Sequence, residues 1–168
     1  MDYQAVRQNM VEHQIRPNRV TDAGVIAAMA EVPREMFVPE EVASIAYVDE
    51  AAPLGDNRYL MEPSLLARIL QGAKISSDDV VLSIGCGTGY AAAILAKVAK
   101  AVVAVEVSSE LAEKASIPVI TTLHGVVEVG VVGIPDERSS EVPMVKGPAG
   151  TGIIVCCVPA GVVTTTSS

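Results

Sequence analysis

The sequence predicts an α/β fold: an N-terminal helical region, then a parallel sheet, then a C-terminal part that is irregular, β-rich or incomplete. Three observations predict it. "VVLSIGCGTGY", residues 80–90, passes from a short apolar run through three alternating glycines into "AAAILAKVAK", a run of strong helix formers. "AVVAVE", residues 101–106, follows as a β-branched run without polar alternation, the pattern of a strand covered on both faces. Strand, glycine turn, helix and strand make a βαβ unit, with a right-handed crossover and parallel strands. Residues 116–168 then change character, with 12 valines, 7 glycines, 5 prolines, no aromatic residue and Leu123 as their one leucine.

Taken from the N-terminus, "TDAGVIAAMAEV" offers Thr21 or Asp22 as an N-cap and repeats Val25, Ile26, Met29 and Val32 at helical spacing. Pro33 and Pro39 break the chain on either side of Phe37. "AYVDEAAPLGDNRY", residues 46–59, carries the Gly, Pro, Asp and Asn of a loop. "EPSLLARILQGA" suits a helix with Pro63 in its first turn and Leu65, Leu66, Ile69 and Leu70 as an apolar stripe. "SSELAEKA", residues 108–115, opens another helix. Beyond it, short strands are expected near 117–121, 126–134, 152–158 and 161–166, with no helix among them.

Bulk properties exclude several function classes. With 168 residues, half of them apolar, the chain can build one domain with a real core. The net charge is −8 and no basic block occurs, which argues against nucleic acid as a partner. The start, "MDYQAVRQNMVEHQ", lacks the apolar core of a signal peptide, and no run is long and apolar enough to span a bilayer, so no membrane partner is expected. Cys86, Cys156 and Cys157 are odd in number and form no C-x-x-C or Cys/His pattern. That disfavours a disulfide framework and a zinc site and points to a reducing cytoplasm. Cys156 and Cys157 fall in an expected strand and suit a core; His13 and His124 lack ligand spacing and suit surface or packing positions, so no metal is expected. Oligomeric state is not legible in the sequence.

The glycine loop carries the chemistry. Gly85, Gly87 and Gly89 are spaced G-x-G-x-G, whereas the dinucleotide fingerprint wants its third glycine where Tyr90 stands. A pyrophosphate, and with it a dinucleotide oxidoreductase, is therefore disfavoured. The turn still brings backbone close to a ligand and aims a helix N-terminus at it. It suits a nucleoside cofactor with a small charged tail. Glu106 ends the next strand, where such sheets hold their ligands, and its carboxylate can accept hydrogen bonds from both ribose hydroxyls. Cys86 lies at a helix N-terminus, where a thiol pKa can fall, yet fits best as a small packing residue beside the cofactor.

"VVLSIGCGTGY" and "VVAVEVSSELAEKA" resemble the first two motifs of S-adenosylmethionine-dependent methyltransferases. "QIRPNRVTDAGVIAAMAEVPREMFVPEE" and "AYVDEAAPLGDNRYLMEPSLLARIL", followed by the glycine loop, are similar in order and spacing to protein-L-isoaspartate O-methyltransferases, over about residues 7–115. The resemblance implies a Rossmann-like methyltransferase sheet. It implies residues 1–58 as a helical cap on the substrate side and 59–168 as a cofactor-binding α/β domain, with 116–168 atypical. It implies S-adenosylmethionine as cofactor and an isoaspartyl-containing protein or peptide as methyl acceptor.

The cofactor contacts that the resemblance implies are Ser83, Gly85, Cys86, Gly87, Thr88, Gly89, Tyr90, Glu106 and Val107, with Tyr59 to Pro63 as a lip between methyl group and acceptor. Three departures stand out. Ser83 occupies a position that is usually acidic and supplies no charge toward the cofactor's ammonium end. Met61 occupies the hydroxyl position of the family's T-I-S-x-P, and a thioether donates no proton. Tyr59 and Ser64 are the nearby hydroxyls that could substitute. The tail is the third departure: "VVEVGVVGIPDE" echoes the family's next strand, making Asp136 a candidate adenine contact, and "VKGPAGTGIIVCCV" echoes a late turn and strand. A small-molecule acceptor and an inactive methyltransferase-like remnant are the alternatives.

Overall fold

The structure, a computed structural model, describes the backbone of residues 1–122, 126–131 and 152–156, and side chains as far as residue 115. Asp2 accepts a hydrogen bond from the Ala5 N–H at 3.1 Å and starts helix α1, Tyr3–Met10. A π-helical stretch, Val11–Ile15, extends it. Helix α2, Ala23–Glu31, starts on Asp22, whose carboxylate accepts from Val25 N at 2.9 Å, so Asp22 rather than Thr21 is the cap. Pro33 stops it. Two short 3-10 turns, Arg34–Phe37 and Glu40–Ile45, carry the chain onward.

Residues 46–59, expected to be a loop, contain a hairpin instead. Strand β1, Ala52–Gly55, pairs antiparallel with β2, Arg58–Leu60. Asp56 and Asn57 turn between them at φ 47° and 56°. Two left-handed residues match the twist of a hairpin, and Asp and Asn tolerate that region. The turn residues are where the sequence puts them; the pairing of runs this short has no periodic signal. Pro53 is tolerated because a two-stranded ribbon is all edge.

Helix α3, Pro63–Ala73, has Pro63 in its first turn and ends at Lys74, left-handed at φ 52°. Its buried face is Leu66, Ala67 and Leu70, while Leu65 and Ile69 are each 39% exposed. The expected four-residue stripe is therefore corrected by about half: the buried arc is narrower and is completed by an alanine.

The main sheet follows. β3 is Val80–Ile84, α4 Tyr90–Val98, β4 Ala101–Glu106, α5 Ser109–Thr122, β5 Val126–Val131 and β6 Gly152–Cys156. The four strands are parallel in the order β5-β4-β3-β6. The chain steps outward from β3 to β5, then β6 pairs with the other side of β3. That reversal opens a crevice at the strand ends beside the loop after β3. Residues 117–121, expected as a strand, lie inside α5, and this corrects the expectation that no helix occurs there. Val119, Ile120 and Thr121 favour a strand locally, and Pro118 forfeits one helical hydrogen bond. Joining parallel β4 to β5 requires a crossover, and that requirement prevails. The strands expected near 126–134 and 152–158 are present as β5 and β6; 161–166, His124, Asp136 and Cys157 lie outside the described residues.

Helix α4 is buried continuously from Tyr90 to Leu95, between the sheet and α2. Three successive alanines, Ala91 to Ala93, let its neighbours approach. The approach is close enough that a Cβ on Gly24 of α2 would meet Val98 Cγ1 at 3.2 Å. The narrow face of α3 makes a direct comparison possible. Leu66→Ala is expected to cost about 2–5 kcal/mol of stability in urea unfolding, and Leu65→Ala less than about 1 kcal/mol. Equal losses would contradict this packing.

Candidate active site

Three glycines shape the strand-to-helix turn. Gly85, Gly87 and Gly89 sit at φ 67°, 58° and 88°, where a side chain would be strained. The Gly85 and Cys86 N–H groups donate to Val105 O at 2.8 and 3.2 Å, so the loop is fastened to β4. Gly89 caps α4 without a side-chain hydrogen bond. Among the described residues no side chain caps the first N–H groups of this helix, a setting that favours a negatively charged or carbonyl-bearing ligand group.

Glu106, at the end of β4, is 1% exposed. Its Oε2 accepts from Gly87 N at 2.7 Å. Its Oε1 accepts from Val107 N at 2.9 Å and Ser108 N at 3.1 Å. Arg58, from β2, donates to both oxygens, Nη1 to Oε1 at 3.3 Å and Nη2 to Oε2 at 3.0 Å. Burial pushes the carboxyl's pKa up. The Arg58 hydrogen bonds and the Ser108 and Gly87 N–H groups outweigh it and hold the carboxyl below its ordinary range.

A cavity of about 270 Å³ opens between the hairpin, the start of α3 and the glycine loop. Of the residues singled out in the sequence, it brings together Tyr59, Met61, Gly85, Cys86 and Gly87. Ser64 is outside that lining; its N–H donates to Asp49 at 2.9 Å in the first turn of α3. Thr88 donates its hydroxyl to Phe37 O at 2.5 Å. Tyr90 is fully buried, edge-on to Phe37 at 5.4 Å. Neither lines the cavity. Ser83 is fully buried in β3, and its Oγ has no hydrogen-bond partner among the described residues. Val107, beside Glu106, is 45% exposed. His13 is exposed on the surface. Among the described residues no group of His, Cys, Asp and Glu is placed to hold a metal, and no helix is long and apolar enough to cross a membrane.

Two arginines were missed in the sequence. Arg58 follows the hairpin turn, and nothing local marks its pairing with a distant strand end. Arg34 is fully buried; its Nε donates to Ala46 O at 2.5 Å and its Nη2 to Met61 O at 2.6 Å. Its guanidinium lies 4.9 Å from the centre of the Tyr90 ring. The Arg34 N–H donates to the Tyr47 hydroxyl at 3.1 Å, and that hydroxyl donates to Glu35. Arg34 therefore ties the Met61 backbone to the 3-10 turns and to α4. The available signal was a charged residue held between Pro33 and Pro39.

The profile of the protein-L-isoaspartate(D-aspartate) O-methyltransferase family matches residues 5–133. A protein-L-isoaspartate O-methyltransferase of Methanoculleus marisnigri is 38% identical over 135 residues, which cover 78% of this chain and 61% of that protein. Protein-L-isoaspartate O-methyltransferase 1 of Rhodopseudomonas palustris is 40% identical over 114 residues, 68% of this chain and 46% of that one. The chain thus spans about half the length of the curated relatives it matches. A solved protein-L-isoaspartate O-methyltransferase superposes with a TM-score of 0.63 at 27% identity, over 76% of this chain and 42% of that one. A Plasmodium falciparum protein of the same description, solved with S-adenosyl-L-homocysteine, superposes with a TM-score of 0.58. At 15% identity, over 77% of this chain and 62% of that one, it shares the Rossmann-like fold alone.

The lowered Glu106 pKa has a signed consequence. The folded carboxyl binds its proton less tightly than the unfolded one, so its contribution is complete above about pH 4.3 and is lost as pH falls through the lower folded value. Arg58→Met is expected to lower stability by about 1–3 kcal/mol near pH 7. The gap from wild type should close as acid protonates Glu106. Thermal unfolding of both proteins between neutral and acid pH measures it, and a gap independent of pH would contradict the pairing.

Proposed function

Because the chain belongs to the protein-L-isoaspartate(D-aspartate) O-methyltransferase family, we propose that it binds S-adenosylmethionine at the glycine loop and Glu106. We propose further that it methylates a carboxylate, that of an isoaspartyl residue in a damaged protein or peptide. The observation that carries this is the 2.7 Å contact between Glu106 and Gly87 N, which holds a strand-end carboxylate against a loop that lines a cavity. The residues fit such a group. Glycine backbone passes along one wall, the start of α4 reaches the cavity at Ala91, and the Glu106 carboxylate would accept from paired hydroxyls in place of the two Arg58 hydrogen bonds it holds here. Ser83 adds no charge to the site.

When bound, the cofactor would supply a methyl group on its sulfonium, and an anionic acceptor oxygen would bond to that carbon in line as the C–S bond breaks and S-adenosylhomocysteine leaves, so the protein contributes proximity and orientation. A carboxylate acceptor is already ionised near neutral pH and needs no general base. The lip from Tyr59 to Pro63 bounds the space for the acceptor. Arg34 fixes its backbone through the Met61 carbonyl. The Met61 side chain then presents apolar surface that keeps water from the transfer site. The segment 1–58 acts as the substrate side, supplying Ala51, Leu54 and Arg58 to the cavity wall. An isoaspartyl protein or peptide is the expected partner, without nucleic acid or membrane, in a reducing cytoplasm consistent with the cysteine pattern. Met61 in place of a hydroxyl favours a second reading, methyl transfer to a small carboxylic acid.

Calorimetry with S-adenosylhomocysteine tests the cofactor site. The wild type is expected to bind, and Glu106→Gln to bind about tenfold more weakly or worse, since one acceptor becomes a donor. No binding to the wild type at millimolar ligand would overturn the proposal. Labelled methyl transfer to an isoaspartyl peptide, beside a panel of small carboxylic acids, separates the two acceptors.

A further inference from the structure

The oxygens of Glu106 accept five hydrogen bonds, two from Arg58 and one each from the backbone of Gly87, Val107 and Ser108. A carboxylate offers about four lone-pair sites, so none is left for a pair of ribose hydroxyls. The three N–H groups are fixed by the strand end and the loop. Arg58 is the donor that can leave. It stands on a three-residue strand, next to a left-handed turn at Asp56 and Asn57, and its side chain is 18% exposed. It also lines the cavity shared by Met61, Gly85 and Gly87, and it is the one cation among the described residues lining it.

We infer that Arg58 serves two ligands in turn: it neutralises Glu106 in the free protein, yields that carboxylate to the ribose, and then binds the carboxylate of the methyl acceptor. This rests on the cofactor site proposed above and adds the residue that selects an anionic acceptor. A guanidinium released from Glu106 is a cation in a mostly apolar lining whose one carboxylate among the described residues is Glu62, and a charge left unpaired there is costly. Its planar fork fits a second carboxylate as it fits the first. The other hydrogen-bond donors on side chains of that lining, the Tyr59 hydroxyl and the Cys86 thiol, are not cationic groups, and Met61 donates nothing. Acceptor binding should therefore follow cofactor binding, and each should strengthen the other by the same factor.

Calorimetry with S-adenosylhomocysteine and an isoaspartyl hexapeptide, each alone and with the other saturating, tests this. Wild type is expected to bind the peptide about tenfold more tightly, or better, once the nucleoside is bound. Arg58→Met should bind S-adenosylhomocysteine at least as tightly as wild type, because the competitor is gone. On the loaded protein it should lose about tenfold or more in peptide affinity. If Arg58→Met does not fold, Arg58→Lys decides: it keeps the charge without the fork and should show both shifts in smaller measure. A variant that loses S-adenosylhomocysteine affinity makes Arg58 a support for Glu106 and overturns the inference. Unchanged peptide affinity on the loaded variant overturns it as well. Absence of S-adenosylhomocysteine binding in the wild type is a different failure, because it removes the cofactor site and this inference with it.

Discussion

A buried carboxylate organises the site. Glu106 lies at the end of β4 with almost no solvent, and an anion there persists only if donors surround it. Those donors come from three parts of the chain: the residues just after β4, the glycine loop and the hairpin. Meeting that demand places the loop beside the strand end and the hairpin across both. The parallel register of β3 and β4, with Ile84 opposite Val105, brings the loop to the correct level, and Val105 O then holds its first two N–H groups.

The lip depends on a second buried charge. Arg34 directs two of its donors to main-chain carbonyls, those of Ala46 and Met61, and lies against the Tyr90 ring. Two backbone carbonyls and an aromatic face take Nε, Nη2 and the flat of the guanidinium, while Nη1 is buried without a hydrogen-bond partner among the described residues. The Met61 backbone is anchored whatever its side chain is. In the proposed reaction, a thioether in place of a hydroxyl at that position would change what the acceptor meets while the Arg34 contact to the backbone carbonyl is kept. Thr88 and Tyr90 belong to this support rather than to the cavity wall: one fastens the loop to Phe37, and the other fills the space beneath Arg34.

The parts legible in the sequence are those with a local cause. Gly85, Gly87 and Gly89 announce a turn that only glycine makes readily, and Glu106 announces a strand end by its place after a β-branched run. Asp22 and Pro63 mark helix starts through hydrogen bonding and ring geometry within one turn. The parts that escaped are settled at long range. The pairing of Arg58 with Glu106 and the reach of Arg34 to Met61 leave no periodic trace. The helix through Pro118 exists because β4 and β5 are parallel, a fact that residues 117–121 do not encode. Leu65 and Ile69 look like core by spacing, yet the neighbours of α3 cover a narrower arc.

A crystal structure of the full chain grown with S-adenosylhomocysteine examines the organising role of Glu106 most directly. The expected result is ribose hydroxyls on the Glu106 oxygens, Gly87 N still donating to that carboxylate, and the Arg58 guanidinium turned into the cavity. A nucleoside bound elsewhere, with the Arg58–Glu106 pair intact, would contradict it.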